Sequence, residues 1–322
     1  MMLGITELTY TSMISFLIVV ILGPIFIPML TKFKFGQTVR DDGPKTHLAK
    51  NGTPTMGGIL MIVAILVTGL TRSKVGPDMM VGLISIVGFG LVGFIDDFII
   101  IKKRRSLGLK PWQKIVLQFA LALYISYYQY TSSPSASQLV IPFTDAVINL
   151  GTLYVPIMTF IIVGIVNAVN LTDGLDGLAS GVTLIVSTFF MLLASSVTVN
   201  PDVAVLAAAT VGACLGFLGF NSYPAKIFMG DTGSMALGGA VVAFSVLTNS
   251  ILLIPLVGGI YFAEAISVIL QVGSFKLRKK RIFKMAPIHH HFEQCGWPET
   301  RVVFIFWITT VILAWIGIIA IF

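Results

Sequence analysis

This chain has little charge for its length. Asp, Glu, Lys and Arg make up 11% of its 322 residues, against about a quarter in soluble domains. Hydrophobic residues make up 56%, and mean hydropathy is +0.94. That balance excludes a water-soluble domain of this size and leaves a polytopic helical membrane protein. Cysteine is scarcer still, at two residues. Cys214 lies in an apolar run and Cys295 in a polar one, which excludes a disulfide framework and metal-type Cys spacing. The first apolar run has no cationic stretch before it and no A-x-A site after it, so it reads as a retained helix and not a cleaved signal. No long linker and no strong repeat divides the chain, so residues 1–322 are expected to form one integral membrane domain.

What is there is a series of apolar runs near the roughly 20 residues that cross a bilayer core. Ten are expected, at about 12–31, 53–71, 79–99, 115–130, 152–170, 178–198, 203–220, 234–249, 252–275 and 302–322. Pro255 and Gly258-Gly259 predict a bend or offset in the ninth. A turn-rich stretch from Thr131 to Ser137 follows the fourth, and the pieces around Val140 and Asn149 fit a small hairpin. Of 21 Lys and Arg, 19 fall on one side if ten helices alternate, and only Arg72 and Lys74 lie opposite. The positive-inside rule makes the rich side cytoplasmic and both termini extracytoplasmic. The cations therefore read as topology signal and contact with lipid headgroups, not as a nucleic-acid surface.

The acids gather on the same side. Asp41-Asp42 follows the first span, Asp96-Asp97 closes the third, Asn167 to Ala179 follows the fifth, and Asp231 precedes the eighth. Asp173 and Asp176 would share one face if their segment were helical. An acid within bilayer reach costs roughly 2.5–3.5 kcal/mol and is a functional suspect. A lone Asp-Gly is more simply a helix cap, but three Asp motifs on one rim are not all explained as caps. Adjacent Asp96 and Asp97 repel unless a cation or proton intervenes. Asp231 sits between Gly230 and Gly233 at a helix start, a ready anion site. Carboxylates, asparagines and an anion nest together describe a Mg²⁺–phosphate site. Three of the four histidines form His289-His290-His291. Adjacent side chains point apart, which suits phosphate contacts better than Zn²⁺. Asp78, Asp145, Asp202 and Glu7, on the other face, are read as loop residues without a function. Glu264 is the one acid inside an apolar run, and a structural hydrogen bond across the bundle is favoured over a place in the site.

These residues carry a resemblance. The stretch Pro44 to Gly58, Asp96-Asp97 with Gly108-Leu109, Asn170 to Gly177, Phe220-Asn221, Met229 to Ser234 and Pro287 to Glu293 resemble the polyprenyl-phosphate N-acetylhexosamine-1-phosphate transferases, nearly end to end. Pro54-Thr-Met-Gly-Gly58 and the triple His point to the branch that takes phospho-N-acetylmuramoyl-pentapeptide. The resemblance implies transfer of that group from UDP-MurNAc-pentapeptide to undecaprenyl phosphate, giving lipid I and UMP, with Mg²⁺ as cofactor, at the bacterial cytoplasmic membrane. It implies Asp231 as the Mg²⁺ ligand and Asp96 or Asp97 acting on the lipid phosphate. His289, His290 and His291 would meet the phosphate or sugar end of the donor. Lys50, Thr55, Asn170, Asp173, Asp176, Asn221, Ser234 and Gln271 would line the substrate pocket, with Phe228 against uracil. One departure stands out: many relatives have Lys three residues after the Asp pair, and here that residue is Ile100. A UDP-GlcNAc transferase shares the acids but not the triple His. A secondary transporter would put its acids at midplane. Whether an Asp attacks covalently, and whether the protein is a homodimer, stays open at this stage.

Overall fold

A computed structural model describes residues 4–32, 50, 52–72, 75–103, 108–132, 137–144 and 146–321. Asp41, Asp42, His47, Lys74, Arg104, Arg105 and Asp145 lie outside the described residues. The helices are α1 (Ile5–Lys32), α2 (Gly58–Arg72), α3 (Pro77–Lys103), α4 (Pro111–Ser132), α5 (Tyr154–Thr172), α6 (Leu178–Ser196), α7 (Pro201–Asn221), α8 (Gly230–Leu247), α9 (Ile254–Val257), α10 (Gly259–Arg278), α11 (Ile288–Gln294) and α12 (Glu299–Ile319). Between α4 and α5 lies the hairpin, β1 (Gln138–Val140) antiparallel to β2 (Val147–Asn149), with Leu139 opposite Ile148. Among the described residues, eight helices are long and apolar enough to cross a membrane. They are α1, α3, α5, α6, α7, α8, α10 and α12. Helix α2 is shorter, at 15 residues, and α4 is outside the eight.

The bundle is built around α8, whose apolar window is 89% buried, against 22% for α1 and for α10. In a bilayer, apolar burial does not drive helices together, so small residues that let backbones approach matter more. Helix α8 presents Gly233, Ala236, Gly239 and Ala240. A Cβ at Gly239 would press on the Ser85 carbonyl of α3, and one at Gly93 of α3 would overlap the Asp231 carbonyl. Ser85 Oγ donates to the Gly239 carbonyl at 2.7 Å. The same device joins α1 to α7, where Ser15 Oγ donates to the Ala209 carbonyl at 2.6 Å. There, too, Gly212 has no room for a side chain against the Ser12 carbonyl.

Several boundaries differ from the sequence reading, each for a local reason. Asp96-Asp97 does not close its helix, because Phe98-Ile-Ile-Ile continues the apolar face and α3 runs on to Lys103. Asn167 and Asn170 are still helical, and only residues 173–177 form the turn, so Asp173 and Asp176 do not share a helix face. Asp231 lies inside the first turn of α8. The ninth span divides as expected, into a one-turn α9 containing Pro255 and a separate α10 starting at Gly259. Three of the acids expected on the other face are not loop residues. Glu7, Asp78 and Asp202 each occupy the first turn of a helix, where a negative charge meets the positive end of the helix dipole. Asp78 also accepts from Tyr128 of α4 and from Asn200 before α7, both at 2.7 Å, tying three helices together at that end.

Two glycines of α7 separate packing from propensity. Gly212→Val is expected to lower the thermal midpoint of the detergent-purified protein by several degrees. Gly219→Ala, at a position with nothing within 4 Å, should leave it unchanged or slightly raised. Equal midpoints for the two variants would contradict the close α1–α7 contact.

Candidate active site

The site is assembled at the end of the bundle where α3, α5 and α8 meet. Asp97, 6% exposed, caps α8 from a neighbouring helix. Its Oδ2 accepts from Thr232 N at 2.9 Å and from Thr232 Oγ1 at 2.7 Å, and its Oδ1 accepts from Asp231 N at 3.2 Å. Both oxygens are thereby engaged with the first turn of α8. Gly230, at φ +70°, brings the chain into this turn, and a Cβ there would press on the Asp97 carboxylate and on Thr55 Oγ1.

Asp231 faces the acids and amides around it. Its carboxyl group lies close to that of Asp96. Oδ1 accepts from Asn170 Nδ2 at 3.0 Å, and Oδ2 pairs with the Lys114 ammonium at 2.5 Å. Asn170 Nδ2 also donates to Ser234 Oγ at 2.8 Å. Asp96, 7% exposed, accepts on Oδ1 from Leu109 N at 2.8 Å. The structure therefore brings Asp96, Asp97, Asn170, Ser234, Asp231 and Thr55 into one cluster. Asp173 borders it. Burial, then the negative charges of Asp231, Asp97 and Asp176, hold the Asp173 carboxyl well above the usual carboxylate range.

A second cluster adjoins the turn after α5. Lys50 Nζ donates to Asp176 Oδ1 at 2.7 Å and to Glu299 Oε1 at 2.6 Å. Burial alone would lower the Lys50 pKa, but hydrogen bonds to Asp176 and Glu299 outweigh it and raise it. Asp176 Oδ2 accepts from Ala225 N, at 2.9 Å, and Asp176 N donates to Glu299 Oε1 at 2.7 Å. Asn221, 2% exposed, accepts on Oδ1 from Gly177 N and Ser180 Oγ, both at 3.1 Å. Its Nδ2 donates to the Ile227 carbonyl at 3.0 Å. Asn221 is thus a buried brace between α6, α7 and the 222–229 segment. Phe228 is half-buried. Its backbone N–H donates to the Pro54 carbonyl and its carbonyl accepts from Gly57 N, which docks the start of α2 against the site.

The histidines sit on α11 and diverge. His289 is 1% exposed, with Nδ1 3.0 Å from Glu264 Oε1. His290 Nδ1 lies 2.8 Å from Glu293 Oε2. His291 Nδ1 accepts from Lys284 N at 3.1 Å. Gln271 stands apart from the acids: its amide oxygen accepts from Ile282 N and Phe283 N, both at 3.0 Å, and its nitrogen donates to the Phe283 carbonyl at 2.9 Å. It holds the turn between α10 and α11.

Residues 79–249 match the family described as Glycosyl transferase family 4, and residues 50–62 match Phospho-N-acetylmuramoyl-pentapeptide-transferase signature 1. Over all 322 residues of both chains, the sequence is 80% identical to the phospho-N-acetylmuramoyl-pentapeptide-transferase of Clostridioides difficile strain 630. The chain belongs to this transferase family. Relatives of the same name from Alkaliphilus metalliredigens and Desulfitobacterium hafniense are 52% and 49% identical, over 99% and 95% of each chain.

For a member of the phospho-N-acetylmuramoyl-pentapeptide-transferase family, two residues that touch the candidate site were not singled out in the sequence. Lys114 was counted only as a topology signal, and Glu299 was not named. The Asp-Lys spacing that would reveal the first is hidden by the loop between α3 and α4. Glu299 reaches the cluster from a helix far along the chain, a relation no local motif carries. Glu264, expected to make a structural contact across the bundle, lies against His289 of α11.

Thr232→Val keeps the shape of the side chain and removes one hydrogen bond to a buried carboxylate. The expected cost is about 1.5–3 kcal/mol, read as a lower thermal midpoint of the purified protein. An unchanged midpoint would show that Asp97 does not secure α8 through this hydroxyl.

Proposed function

We propose that the chain transfers phospho-MurNAc-pentapeptide from UDP-MurNAc-pentapeptide to undecaprenyl phosphate. The products are lipid I and UMP, in the first membrane step of peptidoglycan synthesis. It is a multi-pass protein of the bacterial cytoplasmic membrane, which in this reading crosses ten times, with α2 and α4 included and both termini outside. Beyond family membership, the observation that carries the reading is Asp231. It is held at a helix start beside Asp96, Asn170 and an ammonium, on the rim where a lipid phosphate and a nucleoside diphosphate would meet.

In the reaction, an oxygen of the lipid phosphate bonds to the sugar-bearing phosphorus. The bond from that phosphorus to the bridging oxygen breaks, and its electron pair leaves with UMP. Such a transfer needs chiefly positioning and charge neutralisation. Among the described residues, no group of three or more His, Cys, Asp or Glu side chains converges as a metal cage. The donors that do face each other, Asp96 and Asp231, are hard oxygens, and Mg²⁺ is typically bound by one or two carboxylates together with substrate phosphates. These residues fit Mg²⁺, with Asp231 as its ligand, and the bound ion would neutralise charge on the diphosphate and the leaving UMP. Asp97 is committed to α8, so Asp96 is the better placed of the pair to meet the lipid phosphate. Lys50, Asp176 and Asn221 shape the nucleotide side through the 173–177 turn, with Phe228 against uracil.

Purified protein given UDP-MurNAc-pentapeptide, undecaprenyl phosphate and Mg²⁺ should release UMP, and UDP-GlcNAc should not replace the muramyl donor. Absence of UMP would overturn the reading. Asp231→Asn should lower turnover by at least about 100-fold while the protein still inserts. Lys114→Met leaves Asp96 and Asp231 facing each other without the ammonium. Its thermal midpoint should fall in EDTA and recover when Mg²⁺ is added, because a ligand that binds only the folded state stabilises it. No recovery would argue against a cation site at Asp231.

A further inference from the structure

We propose that Glu264 is a positioning residue, holding the His289 imidazole by Nδ1 so that Nε2 is presented to the turn that carries Asp173 and Gly174. The proposal rests on the transferase reading above and on the donor contact that the family resemblance implies for His289.

Glu264 is fully buried in α10, one of the helices apolar enough to cross the membrane. A carboxylate in such surroundings is costly unless it is paired. Ser267, on the same helix, donates to the Glu264 backbone carbonyl and not to its carboxylate. The pairing comes from α11. His289 Nδ1 lies 3.0 Å from Oε1, and His289 N lies 3.5 Å from Oε2. The Nδ1 contact is close but bent away from hydrogen-bond alignment, and among the described residues neither atom has another partner. Among the described residues, His289 is also the only basic side chain within 4 Å of the Glu264 carboxyl group.

The opposite edge of the ring carries the functional meaning. His289 Nε2 is buried with no hydrogen-bond partner, and it rests against Gly174. Any Cβ at 174 would overlap this nitrogen. The imidazole is therefore clamped, with a carboxylate behind it and a side-chain-free turn in front. A carboxylate on one ring nitrogen selects the tautomer and aims the other nitrogen. His290 beside it repeats the pattern with Glu293, the two rings lying 4.1 Å apart between centroids. If Glu264 only filled space, an apolar side chain would fill it at lower cost. Its contribution is direction.

The test uses full-length protein in detergent, labelled with ¹⁵N-histidine, with the His289 ring signals assigned through His289→Asn. Glu264→Leu should change the His289 ring-nitrogen signals and lower kcat for UMP release by about 10–100-fold. KM for the muramyl donor should stay within about twofold, and the thermal midpoint should not fall. Combining Glu264→Leu with His289→Ala should be no slower than His289→Ala alone, and Glu264→Asp should recover part of kcat. Wild-type ring signals or wild-type kcat in Glu264→Leu would overturn the proposal, as would additive losses in the double variant. Should that variant fail to fold, Glu264→Gln carries the comparison, since it keeps the shape and removes the charge. Altered ring signals with a smaller loss of kcat would support the pairing, and wild-type values of both would refute it. If the wild-type protein releases no UMP, the transferase reading fails, while the ring signals still decide whether Glu264 sets the tautomer of His289.

Discussion

The structure depends most on the carboxylate of Asp97. It belongs to α3, yet it does for α8 what a residue just before α8 would ordinarily do, accepting from the first free N–H groups and from Thr232 Oγ1. A negative charge at a helix N-terminus is favourable, the more so where water is excluded. Because the cap comes from another helix, it also fixes the register between α3 and α8. Gly93 and Gly230 are small for the same reason, since a side chain at either would push the two helices out of reach. The orientation of Asp231 follows. With its backbone N–H tied to Asp97, its side chain turns to Asp96, Asn170 and Lys114.

Polar side-chain pairs then do, around this point, what apolar burial does in a soluble core. Lys114 joins α4 to α8, Lys50 joins the entry to α2 with the 173–177 turn and α12, and His289 joins α11 to α10. The Lys114 and Lys50 pairs span elements distant in sequence, the His289 contact joins consecutive helices, and each lies beside a residue of the candidate site. The interactions that close this end of the bundle and those that set the local field are therefore largely the same interactions. For that reason a substitution here rarely tests chemistry alone, and stability must be measured alongside turnover.

Much of this was legible in the sequence because the bilayer imposes simple rules. Runs of apolar residues near 20 long marked the helices, and the bend at Pro255 and the hairpin near Val140 and Asn149 were marked by turn chemistry. The acids Asp96, Asp173, Asp176 and Asp231 stood out because charge is so rare. What was not legible was the division of labour among them. Nothing in Asp96-Asp97 says that one carboxylate is consumed as a cap for a helix more than a hundred residues later. Helix ends were also misplaced where polar residues continue a helix, as with Asn167 and Asn170. Gln271 was expected in the pocket; its engagement with Ile282 and Phe283 is a short-range contact that only the geometry of the α10–α11 turn reveals.

That turn has a mechanical consequence. Gln271 fastens it to α10, Lys284 N fastens it to His291, and Glu264 reaches His289 from the same helix. Helix α10 and the histidine helix are thus joined directly through Glu264 and His289 and indirectly through the turn between them, while the apolar window of α10 has only 22% of its residues buried in the protein. The rest of its flank lies on the outer surface of the bundle. Any tilt of α10 would therefore carry the three histidines with it.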